Sequence, residues 1–109
     1  MTDCLFCNLL KQNEILKETE NLFVLEDLYP KAPIHLLIIP KKHIPTLDDF
    51  SNSDSGLLSE MLVLAKKLGE EYDLSEDGYR LVWNVKSHGG QEVYHSHLHL
   101  LGGKKLLQI

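Results

Sequence analysis

The sequence predicts an α+β fold, a mainly antiparallel sheet with one long helix packed on a face and a short helix at the N-terminus. Three observations predict it. Short apolar or alternating runs recur between turn-forming residues. One helix-period stretch follows a cluster of capping residues at 51–54. A period-two run sits near the C-terminus between two glycine pairs, Gly89-Gly90 and Gly102-Gly103. At 109 residues, with no repeat, low-complexity tract or linker, residues 1–109 form a single domain.

Taken in order, residues 4–11 read as a short helix or turn, with Leu5, Phe6, Leu9 and Leu10 as its apolar set. Segments 15–19 and 22–26 are short and lie close around Glu20-Asn21, as a β-hairpin requires. Residues 29–33 contain Pro30 and Pro33, each fixing its own φ and pushing its predecessor out of the helical region. The nearly continuous apolar run 35–39, ended by Pro40, suits a central strand. The long helix carries Leu57, Leu58, Met61, Leu62, Leu64, Ala65, Leu68 and Tyr72. These fill an arc of roughly 160°, wider than the ~100° stripe one sheet face needs. The surplus suits a partner subunit or a well-buried helix. Segments 79–84 and 95–101 read as further strands, with 86–91 as the loop between them.

Composition narrows the function. The net charge is −5 and the basic residues are scattered, so no basic stripe offers itself to a nucleic-acid backbone. A phosphate ligand would be a small nucleotide held locally. No apolar run is long enough to span a membrane, and the start of the chain lacks a signal peptide's basic and apolar segments. A cytoplasmic protein is expected. The pair Cys4-x-x-Cys7 then suits a metal or redox site better than a structural disulfide.

His95, His97 and His99 alternate, so in a strand they share one face while Ser96, Leu98 and Leu100 share the other. The imidazoles would follow each other about 7 Å apart. A solvated polar face explains one such histidine more easily than three. A metal centre would need an open coordination position. A nucleophile site uses one imidazole to attack phosphorus and its neighbours to handle protons. The preceding Gly89-Gly90-Gln91-Glu92 favours this last reading, because glycines let backbone N–H groups form an anion-holding turn.

The stretch from Gly89 to Gly103, the segment 27–44 and Cys4-Leu5-Phe6-Cys7 together resemble the histidine-triad (HIT) superfamily, most closely its small nucleotide-binding phosphoramidase branch. The resemblance covers essentially the whole chain. It implies a HIT-like fold, a homodimer, and hydrolysis of purine nucleoside 5′-phosphoramidates through a nucleotidyl-histidine on His97. His99 would contact the phosphate and the leaving group, with His95 and His35 completing the catalytic set. Asp27 would accept hydrogen bonds from the ribose and Leu28 would pack on the nucleoside. Asn84 and the backbone around Gly90, Gln91 and Glu92 would hold the phosphate, with the Glu92 carboxylate turned outward. The chemistry itself implies no cofactor. By position, Cys4, Cys7, His43 and His95 match a structural zinc set found in some branches, against the simpler reading of two cysteines on an apolar helix face.

Other readings stay open: a dinucleoside polyphosphate hydrolase, or a nucleotide-binding scaffold without turnover. His35 is equally explained as a buried strand histidine bonded to backbone. His88 is expected to be solvent-exposed and Trp83 to serve packing. Ser96 departs from the family's usual apolar residue, a change expected to alter packing more than catalysis. The short segment after the triad leaves the leaving-group preference open.

Overall fold

The computed structural model describes residues 4–9 and 14–109. Two α-helices, α1 (Leu5–Leu9) and α2 (Ser55–Glu71), accompany five strands: β1 (Lys17–Glu18), β2 (Leu22–Glu26), β3 (Ile34–Pro40), β4 (Tyr79–Val82) and β5 (Leu98–Gly102). The strands form one sheet in the order β1-β2-β3-β5-β4, with every neighbouring pair antiparallel. This is the expected α+β class. The expected end of the N-terminal helix, Leu10 and Lys11, lies outside the described residues.

β3 is central because it can be buried on both faces. Leu36 and Ile38 join Leu22, Val24, Leu98 and Leu100 under Met61, Leu64, Ala65 and Leu68 of α2. Leu37 and Ile39 point the other way and join Phe23, Leu25, Cys4 and Phe6. The sheet therefore carries α2 on one face and α1 on the other. A short 3₁₀ turn, Asn52–Asp54, leads into α2, and the Asp54 carboxylate accepts from the Ser51 N–H at 2.9 Å. Among the described residues, no helix is long and apolar enough to cross a membrane.

Strand boundaries differ from expectation, β4 ending at Val82 where a strand over 79–84 is expected. The outer strand of the hairpin shrinks to Lys17–Glu18, paired with Val24 and Phe23. The last strand begins at Leu98, not His95, with Leu98 opposite Ile38. Beyond that pair the ladder has no way to continue. The Pro40 carbonyl accepts from His95 Nε2 at 2.7 Å, and the Ser96 N–H turns to the Ile44 carbonyl at 2.8 Å. His95 and His97 thus belong to a bent lead-in whose hydrogen bonds go to side chains and to a neighbouring loop.

Candidate active site

Leu98 and Leu100 point to α2, so His99, one position out of phase, points to the α1 face. There the rings of His97 and His99 lie 5.0 Å apart, closer than an ideal strand places them, because the chain bends before β5. Phe6 of α1 meets the His97 ring edge-on at 5.0 Å. Sequence reasoning placed Phe6 in an apolar helix set and gave no sign of this contact. His97 Nδ1 lies 2.8 Å from the His95 carbonyl oxygen, which only accepts, so Nδ1 carries the proton and Nε2 keeps its lone pair. Burial pushes the His97 pKa down, which keeps the ring neutral and nucleophilic at neutral pH.

His99 is oriented from the neighbouring strand. The Lys31 backbone N–H donates to His35 Nδ1 at 3.0 Å, which assigns the proton of His35 to Nε2. That Nε2–H faces His99 Nδ1 at 2.9 Å and Asp27 Oδ2 at 3.4 Å. His99 Nδ1 is therefore an acceptor, and its Nε2–H is the donor left for a ligand. Burial, reinforced by the neighbouring His97 and His35 rings, pushes the His99 pKa down to about 4. His35 is buried and its own pKa is lowered by burial, an effect partly offset by the Asp27 carboxylate.

Around these rings lies a pocket of about 290 Å³, lined on one side by Leu5, Phe6, Leu9, Leu25, Leu37 and Val93. Its polar rim holds Asp27, Asn84 and Glu92 beside His97 and His99. Asp27 Oδ1 accepts from the Tyr29 N–H at 2.8 Å, which fixes the carboxylate and leaves lone pairs for hydroxyl donors. Leu28, 80% exposed, also lines the pocket. Glu92 is exposed at the pocket rim.

The glycine loop differs from expectation in detail. It is a 3₁₀ turn, Ser87–Gly89, whose N–H groups close on the loop itself: Gly89 and Gln91 donate to the Lys86 carbonyl and Gly90 to that of Ser87. These bonds brace the turn, and Gly90 and Glu92 line the pocket beside His97 and His99. Gln91 is buried, its Oε1 accepting from the Lys86 N–H at 2.8 Å and its Nε2 donating to the Pro45 carbonyl at 2.7 Å. Lys86 is held at φ 60°, a region costly for a residue with a side chain. Asn84 donates to the Gly89 carbonyl at 2.7 Å and has a second amide hydrogen to offer. His88 is exposed, and Trp83 packs edge-on against Phe50 at 5.6 Å.

His95 is fully buried and does not line the pocket. Its Nε2 donates to Pro40, so its Nδ1 lone pair is free, and this faces Cys4 Sγ at 3.2 Å and Cys7 Sγ at 3.5 Å. His43 Nδ1 lies 3.1 Å from His95 Nδ1 and 3.4 Å from Cys7 Sγ. The four donor atoms all fall within 4.8 Å of one another. A zinc ion bound by two sulfurs and two nitrogens has tetrahedral edges of about 3.3–3.8 Å. The donor set and its spacing fit such an ion, with every position closed to substrate.

A family model for the HIT domain matches residues 9–106. The chain belongs to the HIT domain family. This HIT chain is 45% identical over 94 residues to a purine nucleoside phosphoramidase of Escherichia coli, an alignment covering 86% of this chain and 79% of that protein. It is 49% identical over 86 residues to an uncharacterized HIT-like protein of Chlamydia muridarum, covering 79% of this chain and 68% of that one. Among solved structures, a HIT family hydrolase from Legionella pneumophila superposes with a TM-score of 0.91 at 52% identity, covering 96% of both chains. A histidine triad protein from Clostridium difficile gives 0.93 at 36% identity, covering 100% of this chain and 97% of that one.

Proposed function

We propose that this HIT chain hydrolyses purine nucleoside 5′-phosphoramidates through a nucleotidyl-histidine intermediate on His97. The observation that carries the reading is the 2.8 Å bond from His97 Nδ1 to the His95 carbonyl, which leaves Nε2 unprotonated beside the His99 donor. The name of the Escherichia coli relative supports the choice of substrate class. The nucleoside enters the apolar side of the pocket and its ribose hydroxyls donate to Asp27. His97 Nε2 attacks the α-phosphorus and the phosphorus–nitrogen bond breaks. The amine leaves with a proton taken from water. The imidazolium formed keeps its Nδ1–H on the His95 carbonyl, while His99 Nε2–H and the free Asn84 amide hydrogen stabilise the phosphate oxygens. Water then attacks the same phosphorus, releasing the nucleoside monophosphate and returning His97 to its neutral form.

In this reading Cys4, Cys7, His43 and His95 hold a structural zinc ion, and two cysteines kept for a metal suit a reducing compartment such as the cytoplasm. A homodimer also belongs to the reading. β4 is an edge strand, its Leu81 is 37% exposed on the α2 side, and Leu62 of α2 is 53% exposed.

The test is single-turnover release of a reporter amine from an adenosine 5′-phosphoramidate. Wild type releases amine rapidly and traps adenylate on His97, whereas His97→Ala loses at least ~10³-fold in rate. Near-normal turnover by that variant removes His97 as the nucleophile. Faster cleavage of a diadenosine polyphosphate than of the phosphoramidate replaces the substrate class.

A further inference from the structure

α1 serves two places at once. Cys4, just before it, and Cys7 within it face His43 and His95 in the four-donor cluster. Between and beyond them, Leu5, Phe6 and Leu9 line the pocket of His97 and His99. Phe6 bridges the two, its ring 5.9 Å from His95 and 5.0 Å from His97. A helix of five residues is far too short to hold itself, since nucleation outweighs the few hydrogen bonds it makes. Its place depends on Phe6 in the apolar cluster and on the cysteine sulfurs.

The nucleophile is anchored differently. The His95 carbonyl that fixes His97 is held by the His95 Nε2 bond to Pro40 and by the Ser96 N–H bond to Ile44, neither of which involves the cysteines. His35 and His99 are fixed within β3, β5 and the Lys31 backbone. Loss of a metal would therefore release the pocket wall and leave the reacting groups in place.

We propose that metal occupancy of Cys4, Cys7, His43 and His95 sets nucleotide affinity by clamping α1 against the pocket, with Phe6 as the positioning residue. The inference rests on the nucleotide-pocket reading above. Without the metal, α1 docks only part of the time, and apparent affinity falls by the docked fraction. One-tenth docking raises the AMP dissociation constant about tenfold.

The experiment compares zinc-loaded protein with the same protein after chelation, by calorimetric AMP binding and backbone amide hydrogen exchange. AMP affinity is expected to drop about tenfold, with α1 amides losing protection and β3 and β5 amides unchanged. KM rises while kcat holds. Phe6→Ala weakens AMP binding to the zinc-loaded protein, and chelation then adds little further loss, because the wall the metal clamps is already missing. Equal AMP affinity with and without zinc overturns the coupling alone. So does a chain that takes up no zinc, or β3 and β5 amides that lose protection along with α1. Failure of AMP to bind zinc-loaded protein overturns the nucleotide-pocket reading, and the coupling with it.

Discussion

At the residue scale, the site works by assigning each imidazole one proton and one lone pair. A carbonyl sets His97, and a backbone N–H acting through His35 sets His99. All three pKa values are lowered from the ordinary 6.5, chiefly by burial, so each ring favours its neutral form at neutral pH. The acid limb of kcat/KM should therefore lie below the 6.5 of an ordinary imidazole, which a pH–rate profile checks. Stability follows the same sign. Between His99's ordinary value of 6.5 and its folded value of about 4, the unfolded chain binds a proton that the native chain refuses. Its share of stability is full above pH 6.5 and declines toward pH 4, so the melting temperature drops across that window.

Ser96 makes the opposite case, a polar group with nothing to do. It is fully buried, and its hydroxyl has no hydrogen-bond partner among the described residues. Ser96→Ala removes that desolvated group and should stabilise the fold by about 1 kcal/mol without changing turnover, read from thermal unfolding and a parallel assay. The expectation that this position alters packing more than catalysis is framed by the same burial.

At the element scale, Gly103, just after β5, is a geometric necessity. Gly103 has φ 95°, and a Cβ there would meet Pro33 Cβ at 2.9 Å. Gly103→Ala should cost more than about 1 kcal/mol of stability, from backbone strain and from the push on the segment before β3. Denaturant unfolding measures it, and an unchanged midpoint would show that the turn relaxes freely. β5 also shows where period-two reasoning stops. Alternation put His95, His97 and His99 on one face; the structure keeps His97 and His99 in the pocket although His97 lies outside the ladder, while His95 does not line it. The 5.0 Å ring spacing comes from the bend that competing bonds to Pro40 and Ile44 impose.

At the scale of the whole molecule, the sheet order leaves β4 at an edge with Leu81 and the exposed flank of α2 beside it. The proposed homodimer buries that surface. Sedimentation should give twice the chain mass for wild type and a monomer for Leu81→Asp, whereas a monomeric wild type at micromolar concentration would retire the dimer. The two faces of the sheet divide the work. The α2 face is a plain apolar core, and the α1 face holds both the imidazole pocket and the Cys–His cluster.

The sequence by itself determined whatever depends on short-range pattern. The apolar run through 35–39 marked a strand buried on both faces, the 3.6-residue spacing from Leu57 to Tyr72 marked α2, and alternation placed the histidines together. The resemblance named the four donors that now lie within 4.8 Å of one another. Tertiary structure decided whatever depends on which distant segments meet. Antiparallel pairing of β3 with β5 brings His35 onto His99, and α1, at the far end of the chain, lays Phe6 on His97. His95 joined the cysteines and left the pocket because Pro40 claims its Nε2 and aims its Nδ1 at the sulfurs. The glycine loop closed on its own carbonyls because Gln91 pins it from inside. No local spacing encodes these outcomes, since hydrogen-bond partners are settled only once the sheet order fixes which groups are within reach.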